Sequence, residues 1–120
     1  MKRIELVEAK KLKMGGYSAS INGDREHGVF SNDSPDDAIG RVLRRDGHKY
    51  GLRILLTNEE RVKSQRAEFI VVRNEPMGDG FQGFINGIPS TWESGKTIDQ
   101  AIGATVRVKG NEFGIQVALT

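Results

Sequence analysis

Two stretches of this chain repeat each other: DAIGRVLRRDGHKYGLRILL at 37–56 and QAIGATVRVKGNEFGIQVAL at 100–119. The triplet Ala-Ile-Gly at 38–40 recurs 63 residues later at 101–103, and the glycines that follow keep the same spacing. Each stretch begins with apolar residues at helical spacing and ends in a β-rich run bounded by glycine. A repeat at fixed spacing predicts two copies of one structural unit.

The repeat extends over nearly the whole chain. GYSASING at 16–23 aligns with GFQGFING at 80–87, and IELVEA at 4–9 aligns with EFIVVR at 68–73. The predicted unit is therefore about 63 residues long and reads strand, strand, strand, helix, strand. We divide the chain into repeat unit 1 at 1–57, a polar linker at 58–66 and repeat unit 2 at 67–120. Neither unit is large enough to bury a core comfortably alone, so together they are expected to form one globular domain.

Turn and cap residues recur in both units. Asn-Gly at 22–23 and at 86–87 tolerates the positive φ angles of a type I′ turn, which predicts that strands two and three of each unit form a hairpin. Ser34 stands before a proline and two acidic residues, an arrangement typical of a helix N-cap. Thr97 opens a T-x-x-Q capping box at the equivalent place in the second unit.

Glycines predict how the helices pack and where they end. Gly40 and Gly103 lie inside the predicted helices, where glycine costs about 0.5–1 kcal/mol relative to alanine. Their recurrence indicates a close approach, either of helix to sheet or of one helix to the other across a pseudo-twofold axis. Gly47 and Gly110 are expected to be left-handed residues just after each helix.

These features predict an α+β fold that arises by internal duplication of a βββαβ unit. We expect antiparallel sheets and two short helices in one layer, related by a pseudo-twofold axis. The two units are expected either to pair into a continuous sheet or to pack helix against helix.

Composition limits the classes of protein to which this chain can belong. The chain has 37% hydrophobic and 28% charged residues, no cysteine, and no apolar run of the roughly 18 residues that a membrane helix needs. No secretory signal is visible, so we expect a soluble protein of the cytoplasm without a membrane partner. Zero cysteines exclude disulfides and thiol chemistry.

Motifs that suggest catalysis have simpler interpretations. G-x-G-x-x-G at 78–83 opens a predicted strand instead of a helix, so we interpret it as a turn. ESGKT at 93–97 lacks the first glycine of a phosphate loop and is interpreted as a polar loop before a helix N-cap. The two histidines, His27 and His48, are not at metal-ligand spacing. The sequence therefore indicates no catalytic set, no cofactor and no metal site, and favours a binding protein over an enzyme.

One basic constellation is specific to the first unit. Residues 1–57 carry a net charge of +3 and residues 58–120 a net charge of −1. Three arginines at i, i+3 and i+4 share one face of the first predicted helix, and two more cations follow in the next turn and strand. These candidate partner-binding residues are Arg41, Arg44, Arg45, Lys49 and Arg53. The other interpretation is a solvated helix face on which arginine stems cover apolar surface.

The order βββαβ, with Gly16-Tyr17 opening a strand and Ser34-Pro35-Asp36-Asp37-Ala38 opening the helix, resembles the N-terminal fold of HicB-type antitoxins. That family has a glycine-aromatic strand before a T-P-E-E-A helix start. The resemblance implies a non-enzymatic module that binds a partner protein or contacts RNA. The chain lacks the family's proline-rich turn between strands two and three and its C-terminal DNA-binding segment.

The expected function is therefore a small non-enzymatic binding protein that recognises a protein or nucleic acid through the basic helix face of unit 1. A small-ligand-binding or catalytic domain with its site between the two units is the other hypothesis. The sequence does not specify an oligomeric state.

Overall fold

The structure, a computed structural model, describes residues 2–56 and 60–120. In these residues the elements follow the predicted order in both halves: β1 (Leu6–Lys11), β2 (Tyr17–Ile21), β3 (Val29–Ser31), α1 (Pro35–Asp46), β4 (Arg53–Leu56), β5 (Phe69–Asn74), β6 (Phe81–Ile85), β7 (Glu93–Gly95), α2 (Ile98–Lys109) and β8 (Gln116–Leu119). The predicted α+β class is confirmed. Residues 58 and 59 of the predicted linker lie outside the described residues, and 60–66 contain no helix or strand.

The two halves exchange their last strands. One sheet has the order β3-β2-β1-β8 and the other the order β4-β5-β6-β7, so each sheet receives its fourth strand from the other half. The first three strands of each half pair antiparallel, as predicted. The fourth strand runs parallel in both sheets, so the sheets, expected to be antiparallel, are mixed. A short hairpin turn joins antiparallel neighbours, whereas β4 and β5 are joined by residues 57–68, long enough for a parallel crossover.

The strand registers relate the halves more closely than the sequence alignment does. Leu6 pairs with Gln116 in one sheet, and Phe69 pairs with Arg53 in the other, so Leu6 corresponds to Phe69 at an offset of 63. The alignment of 4–9 with 68–73 placed Leu6 on Ile70 and was therefore wrong by one residue. The second hairpin turn, at 75–80, has one residue more than the first, at 12–16, which changes the offset to 64 for β6 and β7, and the offset returns to 63 at α2 and β8.

The helices meet at the two internal glycines. A Cβ atom on Gly40 would lie 1.8 Å from the backbone oxygen of Asp99, and a Cβ on Gly103 would lie 1.8 Å from the backbone oxygen of Asp36. No side chain larger than hydrogen fits at either place. The predicted close approach is confirmed as helix against helix, and the reciprocal contacts relate the halves by an approximate twofold axis. That the repeat arose by duplication stays a prediction.

Both helices begin as predicted. The Ser34 hydroxyl oxygen accepts a hydrogen bond from the Asp37 backbone N–H at 3.0 Å, and the Thr97 hydroxyl oxygen accepts from the Gln100 N–H at 3.1 Å. The segment before Thr97, predicted to be a polar loop, instead forms the short strand β7. The G-x-G-x-x-G motif at 78–83 lies in a turn that leads into β6, as interpreted from the sequence.

The helix C-termini differ from the prediction. Gly47 has a φ of −55° and the chain continues into a 3-10 turn, so the left-handed glycine is Gly51 with a φ of 85°. The second half repeats this arrangement at Gly110 and Gly114. Packing explains the glycine at 47, because a Cβ atom there would approach the backbone oxygen of Leu52 to 3.0 Å.

The core lies between the helices and the two sheets and includes residues of both halves. Buried side chains of α1, α2 and the inner strands form one cluster that contains Val7, Ile39, Leu43, Ile70 and Ile102. The molecule measures 39 × 36 × 20 Å between its Cα extremes. The 20 Å dimension fits one layer of helices on one layer of strands, since each layer is about 10 Å thick.

The helix contact gives the first prediction. Changing Gly40 or Gly103 to alanine should destabilise the protein by about 3 kcal/mol or more, because the new methyl group overlaps a backbone oxygen that cannot move without separating the helices. An alanine at an unconstrained helix position would have the opposite effect. Urea denaturation measures the change. Gly78→Ala is the control, because no atom lies within 4 Å of a Cβ at that position. A stabilised Gly40→Ala variant would show that the helices do not meet there.

Candidate functional site

The five predicted partner-binding residues occupy one continuous part of the chain, from α1 through the following 3-10 turn to β4. We call them the helix patch. Their side chains are between 47% and 60% exposed: Arg41, Arg44, Arg45, Lys49 and Arg53. Each has a carboxylate of the same chain within ion-pair distance. The structure brings them together as two pairs and one separate residue.

The first pair is Arg41 and Arg44. Arg41 Nε donates to Asp37 Oδ2 at 2.7 Å, a contact that i, i+4 spacing allows within one helix. Arg44 Nε lies 3.1 Å from Asp99 Oδ1, and Arg41 Nε lies 4.0 Å from Asp99 Oδ2. Both arginines therefore reach across to the N-terminus of the other helix.

The surroundings of Asp99 disfavour the ionised form of its carboxyl group. Burial raises the pKa of its carboxyl above the ordinary value, Arg44 opposes that rise, and the neighbouring Asp37 adds to it. Its Oδ1 atom is buried and makes no hydrogen bond, since the approach of Arg44 Nε lacks hydrogen-bond geometry. The equivalent contact in the other direction is better formed, because Arg107 binds Asp36 through two hydrogen bonds of 2.6 and 2.9 Å.

The second pair is Arg45 and Lys49, which share Asp46. Arg45 donates to Asp46 Oδ2 through its terminal nitrogen at 2.6 Å and through Nε at 3.1 Å, and Lys49 Nζ lies 3.4 Å from Oδ1. Arg45 also donates to the backbone oxygen of His27. The hydrogen bond from Arg45 lowers the pKa of the Asp46 carboxyl below its ordinary value, with Lys49 contributing in the same direction.

Arg53 stands apart from both pairs. Its guanidinium lies 3.9 Å from Glu60 and 5.5 Å from the centre of the Phe69 ring. It belongs to the edge strand β4, which pairs with the other half of the chain.

The aspartates that hold the cations of the helix patch are buried, whereas the cations themselves are exposed. The side chains of Asp37, Asp46 and Asp99 are 3%, 11% and 11% exposed, whereas all of the cations that they hold are at least 47% exposed. Carboxylates lie underneath and cations lie outside. The patch therefore presents positively charged groups to solvent in fixed positions, although its net charge is small.

Comparison with the second half shows which cations are structural. The equivalent positions are Ala104, Arg107, Val108, Glu112 and Gln116. Only Arg44 has a basic counterpart, Arg107, and these two arginines form the reciprocal ion pairs between the helices. The other four cations of the helix patch are specific to the first half.

Two further surfaces stand out: one was not predicted from the sequence, and the other lies between the halves, where the alternative hypothesis places a site. The outer face of the first sheet, which we call the open sheet face, carries Lys10, Ser18 and the half-exposed ring of Phe30. The run KKLK at 10–13 was the available signal for it, since the second half has only Arg73 at the matching positions. The second surface is a cavity of about 570 Å³ between the halves.

The cavity between the halves has lining residues from both: Ser34 and Asp36 from the first, and Glu75, Asp79, Lys96 and Gln100 from the second. Asp36 is engaged by Arg107, and Glu75 accepts a hydrogen bond from Gln82 at 3.2 Å. In residues 2–56 and 60–120, no three His, Cys, Asp or Glu side chains are grouped so as to hold a metal ion. No helix in the same ranges is long and apolar enough to cross a bilayer.

The anchoring role of Asp46 gives a pH prediction. Because its pKa is lowered in the folded state, Asp46 stabilises the fold above its unfolded pKa of about 4, and this contribution disappears as the pH falls through the folded pKa. Asp46→Asn should therefore be less stable than the wild type at neutral pH, and the difference should shrink on acidification. Urea denaturation at several pH values measures it, with the exposed Asp33→Asn as control. A difference that is independent of pH would contradict this role.

No protein-family model matches the chain, and no curated protein or solved structure is significantly similar to it. The resemblance to HicB-type antitoxins consequently stays a prediction from the residues.

Proposed function

We propose that this chain is a small non-enzymatic binding protein that recognises a macromolecular partner, a protein or a nucleic acid, through the helix patch. The observation that carries the proposal is the separation of charge within the patch. Buried carboxylates hold exposed cations, and three of these cations, Arg41, Arg45 and Lys49, have no basic counterpart in an otherwise repeated scaffold.

Anchored cations suit recognition for a physical reason. An arginine held by a buried carboxylate has already given up part of its rotamer freedom, so a partner that binds it sacrifices less entropy. Arg41 uses only Nε in its hydrogen bond to Asp37, and a guanidinium has five N–H donors. Donors therefore remain for a phosphate or carboxylate of the partner.

The resemblance to HicB-type antitoxins supports the same class of function, because that family's module binds a partner protein or contacts RNA. It does not select between the two. Anchored arginines recognise phosphates and carboxylates with the same geometry, so the partner class is decided by experiment.

A second candidate function rests on the cavity between the halves. Its volume of about 570 Å³ lies within the range of about 300–1,000 Å³ that is typical of small-molecule sites. A small ligand bound there would stabilise the folded state, because ligands that bind only the folded state raise its stability by mass action. A dye-based thermal-shift screen against metabolites tests this candidate.

The helix patch is tested with two variants, one that removes cations and one that removes the carboxylate that anchors them. The triple change of Arg45, Lys49 and Arg53 to Gln removes exposed cations and keeps Arg44, which pairs with the buried Asp99. It should reduce capture of the partner from host lysate. Asp46→Asn removes the carboxylate that anchors Arg45 and Lys49, so it should also reduce capture. Captured material is measured with and without nuclease treatment, which separates nucleic acid from protein.

The matched control changes the same number of charges elsewhere: Arg61, Lys63 and Lys109 to Gln. This control should capture as much partner as the wild type. Equal capture by the helix-patch triple variant and the wild type would show that the helix patch is only a solvated helix face. No captured partner, together with a metabolite that raises the melting temperature by several degrees, would favour the cavity instead.

A further inference from the structure

The outer faces of the two sheets are built differently. In the second sheet that face carries the buried residues Phe69, Val71 and Phe84, and Val62 from the segment before β5 packs against them. The equivalent positions of the first sheet are Leu6, Glu8 and Ser20. The same scaffold thus has one apolar face covered by its own chain and one polar face.

The open sheet face has a row of three side chains across its strands. Lys10 pairs with Ser18, and Ser18 pairs with Phe30, so the three lie side by side on one face. Val7 and Ala9, which alternate with Glu8 and Lys10 along β1, are buried in the core on the other face. The Phe30 ring is 48% exposed and packs over Gly16, where a Cβ atom would lie 2.7 Å from the ring.

A depression of about 220 Å³ adjoins this row. Its lining includes Glu8, Lys10, Ser18, Ser20 and Arg25. Arg25 reaches Glu8 at 3.3 Å, and its own side chain is 75% exposed. The depression therefore has hydrogen-bond donors and acceptors, and two cations lie at its edge.

The hairpin that joins β1 and β2 adds positive charge to the same end of the sheet. It carries Lys10, Lys11 and Lys13, and in the described part of the chain no carboxylate lies within ion-pair distance of these lysines. The equivalent turn of the second half carries Glu75 and Asp79 instead. Unlike the cations of the helix patch, the hairpin lysines are not neutralised within the chain.

We propose that the open sheet face binds single-stranded nucleic acid, with Phe30 stacking on a base and the hairpin lysines contacting phosphates. This rests on the proposed function only in that the partner is a macromolecule, and it uses a surface distinct from the helix patch. An exposed aromatic ring on a sheet beside unpaired lysines is the combination that binds single strands without requiring a particular sequence.

Single strands fit better than duplexes or proteins. An aromatic ring exposed on the face of a sheet stacks only with a base that has left its helix, which duplexes do not offer. A protein partner would find little apolar surface to bury, because Ser18 and Lys10 follow Phe30 across the strands, and Glu8 and Ser20 lie on the same face. Charge complementarity with phosphates comes from the unpaired lysines.

The test measures binding of fluorescently labelled oligothymidylate and oligouridylate, with a duplex of equal length for comparison, at several salt concentrations. Wild type should bind the single strands more tightly than the duplex. Phe30→Ala should weaken binding by about tenfold or more, the effect expected when one base–aromatic stack is removed, and Phe30→Tyr should retain it. Lys10→Gln with Lys13→Gln should reduce the slope of log K against log salt by about 0.7 for each phosphate that the variant no longer neutralises.

Matched controls come from the second half. Trp92→Ala removes the other aromatic side chain that is 48% exposed, and Arg61→Gln with Lys63→Gln removes two exposed cations. Both should bind as the wild type does. Thermal denaturation of each variant shows whether it folds. If Phe30→Ala does not fold, the lysine double variant and Phe30→Tyr show whether the open sheet face binds single strands.

The outcomes separate this inference from the proposed function. Wild type that does not bind single strands at low salt overturns the inference, while a protein partner for the helix patch is unaffected. Binding that the Arg45, Lys49 and Arg53 triple variant abolishes but the Phe30 and lysine variants do not also overturns the inference and places nucleic acid on the helix patch. Binding that is weakened in the sheet variants alone supports the open sheet face.

Discussion

The contact of α1 with α2 at Gly40 and Gly103 is the constraint on which the other features of the molecule depend. Each glycine lets the first turn of the other helix lie against it, backbone to backbone. This proximity places Asp36 and Asp99 within reach of arginines on the opposite helix. The sheets follow, because each helix packs on the strands of its own half and the two helices hold those strands together. A wider helix separation would open the core and the ion pairs together.

Strand exchange makes the halves dependent on each other in a second way. A half without its partner would lack both the opposite helix and the fourth strand of its sheet. The positions that maintain these contacts are filled similarly in both halves, as with Arg44 and Arg107. Positions that do not maintain them differ, and there the first half carries its additional positive charge. The residues that hold the halves together are thus shared, and the charged surfaces are where the halves differ.

Much of this fold could be predicted because its signals are local. Helix caps and hairpin turns act within a few residues, and Ser34 behaves as its neighbours in sequence indicate. The internal glycines could be noticed because each costs stability within its own helix, although the contact that requires them is with the opposite helix. Strand exchange could not be predicted, because a short apolar strand such as β4 pairs equally well with any free sheet edge and its residues do not identify which one. The C-terminal glycine was missed for a related reason, since Gly47 is required by Leu52, a contact that forms only after the extra turn.

For the candidate sites too, local features could be predicted from the sequence and long-range contacts could not. The basic helix face was predicted from its i, i+3 and i+4 spacing, whereas the pairing of Arg41 with Asp37 was not predicted, although i, i+4 spacing allows it. Its attachment to Asp99, 55 residues away from Arg44, was not visible. Phe30 was overlooked because a three-residue strand does not reveal which of its side chains faces the core. The run KKLK was visible, but only its lack of carboxylate neighbours gives it significance.

The parallel pairing of β1 with β8 also determines how the molecule would bear mechanical load. The two strands lie side by side and point the same way, with Leu6 opposite Gln116 and Ala9 opposite Leu119. Tension applied ahead of β1 and beyond β8 would slide the strands past each other along their length. The evenly spaced hydrogen bonds of a parallel pair would then resist together, in shear, instead of opening one after another as they would at the end of a hairpin.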